Sequence, residues 1–184
     1  RFRVAMEASW NDGTRLPHML FSGPPGVGKT VLAHLAAKEM AVTLHERIGQ
    51  SLFFPPALNA LLVLAKDKDI IFIDEIHEMN VMCQTLLYKA MEERKLFVEG
   101  INGVTMALPA SDFCLIAATT DEYALLPPLR DRFALVLPLS YYDVESLATI
   151  TKQHAQMMGL NLSVDVATEI AKRARGTPRL AIRL

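Results

Sequence analysis

Net charge is the first thing this sequence lacks. Its 184 residues set 19 lysines and arginines against 20 aspartates and glutamates, a formal charge of −1. No global positive field announces a polyanionic partner, so any nucleic-acid contact has to come from local loops. Cysteine is nearly absent. Cys83 and Cys114 are the only two, both among apolar neighbours and neither in a C-x-x-C pair. That excludes a disulfide framework and predicts buried thiols in a reducing compartment. There is no run of about 18 apolar residues and no signal-peptide pattern, so no membrane contact is expected and the predicted location is cytoplasmic. Internal repeats and low-complexity tracts are missing too, which removes the solenoid architectures.

What is present is a 51% apolar, 21% charged composition, that of a globular chain of one or two domains long enough to bury a core. The chain is organised around Gly23-Pro24-Pro25-Gly26-Val27-Gly28-Lys29-Thr30, which fits G-x-x-x-x-G-K-[ST], the phosphate-binding P-loop. His18–Ser22 before it reads as a short apolar strand. Val31–Met40 after it reads as a helix with Leu32, Leu35, Ala36 and Met40 on one face. Strand, glycine-rich turn and helix is the context such a loop requires. Glycine lets the backbone curl until its N–H groups converge on phosphate oxygens, with the positive end of the helix dipole behind them. Lys29 supplies a full charge toward the terminal phosphates, and Thr30 a hydroxyl for Mg²⁺.

Phe2–Trp10 reads as a helix stopped at Asn11-Asp12-Gly13. Ala41–Leu44 reads as a short strand and Arg47–Pro56 as irregular, with Pro55-Pro56 opening a buried helix over Ala57–Ala65. Ile70–Ile73 is a continuous apolar run, the mark of a parallel strand covered on both faces, and it ends in Asp74-Glu75. Asn80 is the expected cap of a helix reaching about Glu93. Leu96–Leu108 holds Asn102-Gly103 between two apolar-rich runs, a hairpin signal with an ordinary loop as the alternative. Phe113–Ala118 and Phe133–Leu137 read as further strands, the first followed by Thr119-Thr120-Asp121. Beyond Pro138 the pattern is helical, with Asp143, Ser163 and Thr177 as expected caps. Strands and helices therefore alternate over residues 1–138 and helices alone fill 139–184. This predicts a three-layer α/β domain followed by a small all-α domain. The chain stops at Leu184 inside a helical pattern, so it is expected to be part of a longer protein.

The acidic end of the Ile70–Ile73 strand adds the second half of the chemistry. Asp74 is expected to hold the Mg²⁺ shell opposite Thr30. Glu75, one residue on, suits a general base that polarises the attacking water. Phosphoryl transfer also needs positive charge at its transition state. Arg130-Asp131-Arg132 and Arg179 are the candidates, with solvated surface arginine the alternative for each. Thr120, at a strand tip, is a candidate partner of the water or the γ-phosphate. His77 has no companion ligands at metal-binding spacing and reads as a structural or coupling residue.

Together these residues resemble the AAA+ ATPases, and within them the RuvB family of Holliday-junction branch-migration motors. The likeness covers nearly the whole chain. It rests on Gly23–Thr30, Phe72-Ile73-Asp74-Glu75-Ile76-His77, Leu87-Tyr88, Ala90-Met91-Glu92, Ala118-Thr119-Thr120, Pro128-Leu129-Arg130-Asp131-Arg132-Phe133, Tyr141-Tyr142 and Arg173-Ala174-Arg175-Gly176-Thr177-Pro178-Arg179. The resemblance implies a P-loop AAA+ domain over 1–138, its parallel five-stranded sheet in the order 5-1-4-3-2, and a helical lid over 139–184. It implies ATP and ADP, with Mg²⁺, bound by Gly23, Pro24, Pro25, Gly26, Val27, Gly28, Lys29, Thr30 and Val31, joined by Asp74, Tyr142 and Arg179. Thr30 and Asp74 would serve the metal. Catalysis would fall to Glu75, Lys29, Thr120 (with Thr119 the near alternative) and Arg132, an arginine finger reaching the ATP of a neighbour in a hexameric ring. Holliday-junction DNA would be the track, and a RuvA-like protein would meet the Leu96–Leu108 hairpin.

The chain also departs from the family pattern. Phe54 stands where the family has a basic residue, Pro56-Ala57 where it has Gly-Asp, and Glu78 and Asp121 where it has positive charge. The hairpin tip is shorter. The family's adenine-contacting N-terminal segment and its C-terminal winged helix are not among these 184 residues. The hydrolysis residues are intact and the coupling residues altered. Two readings follow: a ring-forming branch-migration motor, or a nucleotide-dependent switch or loader that binds a partner without translocating DNA.

Overall fold

A computed structural model of the chain describes residues 1–99 and 105–184. They form two compact units, one of Arg1–Ser22 with Thr30–Leu137, the other of Gly23–Lys29 with Pro138–Leu184.

The first unit is built on a five-stranded sheet. In chain order its elements are α1 (Phe2–Asp12), β1 (Met19–Ser22), α2 (Lys29–Glu39), β2 (Leu44–Ile48), α3 (Pro55–Leu64), β3 (Ile70–Asp74), α4 (Val81–Glu93), β4 (Lys95–Glu99), β5 (Thr105–Pro109), β6 (Cys114–Thr119), α5 (Pro127–Arg130) and β7 (Leu135–Pro138). The sheet runs β2-β3-β6-β1-β7. Counting its strands alone, this is the expected 5-1-4-3-2 read from the other edge. The pairs β2–β3, β3–β6 and β6–β1 are parallel, with Ile48 opposite Asp74, Ile73 opposite Ala117 and Ser22 opposite Thr119. The carboxyl ends of β1, β3 and β6 therefore share one edge of the sheet.

The central strands are what their composition dictates. Ile70–Ile73 and Cys114–Ala118 are completely buried, and their alternate residues Ile71, Ile73, Leu115 and Ala117 share one core with Leu58, Leu61 and Leu62 of α3 and Cys83 and Leu87 of α4. Each such aliphatic side chain removed from water contributes roughly 1.5–3 kcal/mol. Both cysteines are free and buried. Burial pushes the Cys114 thiol up to about 12, which keeps it protonated and inert. Among the described residues no helix is long and apolar enough to cross a membrane.

Several local expectations shift. Helix α2 begins at Lys29, not Val31, and its buried face is Ala33, Ala36 and Ala37, while Leu35 is 41% exposed. Strand β2 runs Leu44–Ile48, not Ala41–Leu44. The residues before it are used in ending α2, where Ala41 takes φ 51° and the Ala41 and Val42 amides bond the Lys38 and Ala37 carbonyls. Helix α3 starts at Pro55 and is buried on one side only, with Val63 and Leu64 exposed. The arms of the expected hairpin, β4 and β5, pair antiparallel with Leu96 opposite Leu108. Asn102-Gly103 lies outside the described residues. Asn80 caps α4 as expected, its Oδ1 accepting from the Cys83 amide at 2.8 Å.

The second unit contains α6 (Val144–Met157), α7 (Val164–Arg173) and α8 (Pro178–Arg183), packed around Leu147, Ala171, Ala174 and Ala181. Asp143 and Ser163 cap α6 and α7, accepting from Ser146 and Val166 amides at 2.6 and 3.4 Å. Thr177 precedes α8 but does not cap it. Its hydroxyl donates back to the Ala174 carbonyl at 2.9 Å, tying α8 to the end of α7.

His18 gives the first unit an acid-sensitive point. Its Nδ1 accepts the Leu115 amide at 2.9 Å, so that nitrogen carries no proton. Burial, and then the charge of Arg15, lower its pKa from 6.5 to about 4. Below pH 6.5 the unfolded chain takes up a proton that the folded chain refuses. Stability should therefore fall between pH 6.5 and 4, by about 3 kcal/mol in all. Urea unfolding across that range measures it, and His18→Asn, which keeps an acceptor without a titrating ring, should flatten the slope.

Candidate functional site

The P-loop residues Gly23–Lys29 belong to the second unit. Gly23 takes φ 150° and Gly28 φ 105°. A Cβ on Gly23 would lie 2.2 Å from the Leu139 carbonyl oxygen, whereas one on Gly28 would meet nothing within 4 Å. Gly23 is thus required by both space and backbone, and Gly28 by backbone alone, which leaves its face of the loop open. Lys29 is 6% exposed, and its Nζ donates to the Gly23 and Pro24 carbonyls at 2.7 and 3.2 Å.

Arg179 joins this loop, its amide donating to the Gly26 carbonyl at 3.4 Å. A cavity of about 260 Å³ is lined by Pro25, Gly26, Thr177, Arg179, Leu180 and Arg183. Tyr142 is tied to the turn before α8, its backbone amide donating to the Gly176 carbonyl at 2.9 Å. Backbone amides in a positive-φ turn, an ammonium and guanidinium groups form a donor set for a polyphosphate. The residues therefore fit a nucleotide.

In the first unit the tips of β3 and β6 bring three predicted residues together. Glu75 follows β3 with φ 47°. Its Oε2 accepts from the Thr120 amide at 3.1 Å and the Thr120 hydroxyl at 3.2 Å, and lies 3.3 Å from His77 Nδ1. The same His77 nitrogen is 2.9 Å from Thr119 Oγ1, which accepts the Asp121 amide at 3.0 Å. Thr119 is fully buried and Thr120 exposed, so of the two only Thr120 faces solvent. Asp74 Oδ1 accepts the Glu75 amide at 3.1 Å. Among the described residues no three His, Cys, Asp or Glu gather as a metal cluster. Asp74 and the Thr30 hydroxyl are hard oxygen donors, the ligand chemistry that Mg²⁺ takes.

The two candidate arginines differ in their surroundings. Arg130 stacks on the Tyr123 ring at 5.7 Å. Arg132 pairs with Glu92 at 2.6 Å, with 38% of its side chain exposed. Val31 is exposed at the start of α2. The departures from the family pattern are exposed too. Phe54 packs edge-on against Phe53 at 5.1 Å, and Glu78 faces solvent. Asp121 caps the short turn after β6, accepting from Tyr123 and Ala124 amides at 3.1 and 3.3 Å.

Sequence reasoning missed Gly49 and the His77–Thr119 link. A Cβ on Gly49 would lie 2.3 Å from the Glu75 carbonyl oxygen. A lone glycine in a stretch that reads as irregular was the available signal, and it did not say what approached it. Gly49→Ala should cost roughly 1–3 kcal/mol by forcing the Glu75 backbone aside, a loss read by urea unfolding.

The family model for the Holliday junction DNA helicase RuvB P-loop domain matches residues 1–139, and that for the RuvB AAA lid domain matches 142–184. The Holliday junction branch migration complex subunit RuvB of Synechococcus sp. (strain WH7803) is 43% identical over 184 residues, covering 98% of this chain and 50% of its own. The solved RuvB Holliday junction branch migration motor of Thermotoga maritima matches at TM-score 0.88 and 39% identity, over 99% of this chain and 57% of that one. A variant of the same protein matches at TM-score 0.91 and 38% identity, over 99% and 58%. This chain thus spans about half the length of the curated relative it matches.

Proposed function

The chain belongs to the RuvB family of P-loop proteins, and from that premise we propose that it is the nucleotide-hydrolysing part of a ring-forming AAA+ motor that drives branch migration of Holliday-junction DNA. Residues 1–138 would be the ATPase domain and 139–184 its helical lid. The observation that carries this reading is Glu75: a carboxylate after the buried strand β3, gripped by Thr120 at the tip of the neighbouring β6, in a chain with a complete P-loop.

Each residue has a role in this scheme. Gly23–Thr30 and Val31 bind the phosphates of ATP or ADP, with Lys29 as the point charge. Thr30 and Asp74 hold Mg²⁺, which when bound neutralises charge on the phosphate oxygens. Glu75 takes a proton from the attacking water while Thr120 orients that carboxylate and senses the γ-phosphate side. Arg179 and Tyr142 contact the nucleotide from the lid. Arg132 serves the ATP of an adjacent subunit in a hexamer, exchanging its Glu92 partner for phosphate. A RuvA-like protein binds near Leu96–Leu108.

The exposed Phe53-Phe54 pair, Glu78 and Asp121 favour a second reading, a switch or loader that binds its partner under ATP control. Measuring ATP turnover and strand exchange of the full-length protein with and without four-way-junction DNA separates the two. The motor reading expects junction-stimulated turnover and strand exchange, with DNA affinity falling steeply with salt. The switch reading expects tight ATP binding, slow turnover and no exchange.

A further inference from the structure

The geometry points to His77 as a positioning residue for hydrolysis, one whose Nδ1 orients the carboxylate of Glu75; this assignment rests on reading Glu75 as the general base. Glu75 makes its side-chain contacts through one oxygen. Oε2 faces the Thr120 amide, the Thr120 hydroxyl and His77 Nδ1 at 3.1, 3.2 and 3.3 Å. Oε1 accepts no hydrogen bond from the described residues. That is the division a general base needs, with one oxygen pinned by the protein and the other presented to water.

Thr120 cannot complete the task alone. Both of its donors come from one residue, so the carboxylate plane can still swing about Oε2. The His77 Nδ1, 3.3 Å from Oε2 on the turn after β3, adds a polar contact from a different element that restricts that swing.

The imidazole is itself positioned. Thr119 Oγ1 lies 2.9 Å from the same Nδ1, is fully buried, and is fixed by the Asp121 amide at 3.0 Å. Thr119 therefore acts on Glu75 only through His77. The arrangement also selects a proton position. An ionised carboxylate is an acceptor only. A protonated Nδ1 bonds Thr119 Oγ1 at 2.9 Å and sets its N–H 3.3 Å from Glu75 Oε2, whereas a bare Nδ1 would set a lone pair near that oxygen, so orienting Glu75 requires the proton on Nδ1. Alanine at 77 removes the donor. Glutamine places its amide near the Nε2 position. Asparagine places its amide near Nδ1 and should restore the contact.

The test uses the full-length protein with His77→Ala, His77→Gln and His77→Asn, alongside Glu75→Gln. Alanine and glutamine should lower kcat about tenfold, the scale of a lost hydrogen bond to a charged group, with KM and the affinity for a non-hydrolysable ATP analogue unchanged. Asparagine should recover most of the rate. In nucleotide-free parent protein, nitrogen NMR of labelled histidine should show a protonated Nδ1 whose signal moves in Glu75→Gln. A bare Nδ1, an unchanged kcat in His77→Ala, or three His77 variants that lose rate and affinity together would each overturn the assignment. If Glu75→Gln keeps full turnover, the general-base reading itself fails. If Glu75→Gln is slow and His77→Ala is not, only the role of His77 fails.

Discussion

Glu75→Gln should bind ATP as the parent does and turn it over about 10²-fold more slowly or worse, the scale for removing a general base. The substitution preserves shape, and its amide oxygen can still accept from Thr120. It cannot take a proton from water. The backbone also tolerates it, because glutamine meets the same cost as glutamate at φ 47°. A fall in kcat with intact analogue binding supports the assignment. A loss of binding would make Glu75 a structural residue of the β3 tip.

The second large effect concerns Arg132. Alone, Arg132→Ala should lower turnover about 10³-fold or more, as loss of an arginine finger does elsewhere, and Lys29→Ala should abolish productive nucleotide binding. Mixed in equal amounts, the two inactive variants should regain activity. A subunit lacking Arg132 still binds ATP, and a neighbour lacking Lys29 still offers Arg132, so about a quarter of interfaces in a randomly mixed ring are whole. Recovery near that fraction, rising with protein concentration, marks a shared site. No recovery would place Arg132 on the nucleotide of its own chain. The Glu92 contact at 2.6 Å is an exposed, solvent-screened ion pair, so it would give way readily to phosphate. Glu92→Gln should therefore leave turnover nearly unchanged.

How much of this was legible depended on how local the signal was. The buried strands β3 and β6 were plain because strands covered on both faces read as unbroken apolar runs. Asn80, Asp143 and Ser163 were legible as caps because their bonds span three residues. Strand β2 was misplaced because Leu44–Ile48 mixes leucine and isoleucine with histidine, glutamate and arginine, which does not look like a buried strand. Thr177 fooled the capping rule because its hydroxyl had a better partner behind it. The Gly23–Thr30 and Asp74-Glu75 motifs stood out since each is contiguous. The contacts that orient Glu75 were invisible: Thr120 lies 45 residues away and Thr119 lies 42 from His77. Only folding β3 beside β6 brings them together. The strand order came from family resemblance, since no local pattern specifies which strands are neighbours.

The glycine behind Glu75 carries a consequence for how this sequence can change over time. With a Cβ at position 49 only 2.3 Å from the Glu75 carbonyl oxygen, the obstacle is main chain, which no substitution elsewhere can trim away. A surface departure such as Phe54 can drift and be compensated by neighbours. Position 49 has no such neutral path. A lineage that loses Gly49 and is then selected for turnover should recover by reversion at that codon. Among relatives that diverge at the coupling residues, Gly49 should therefore persist for as long as hydrolysis is under selection.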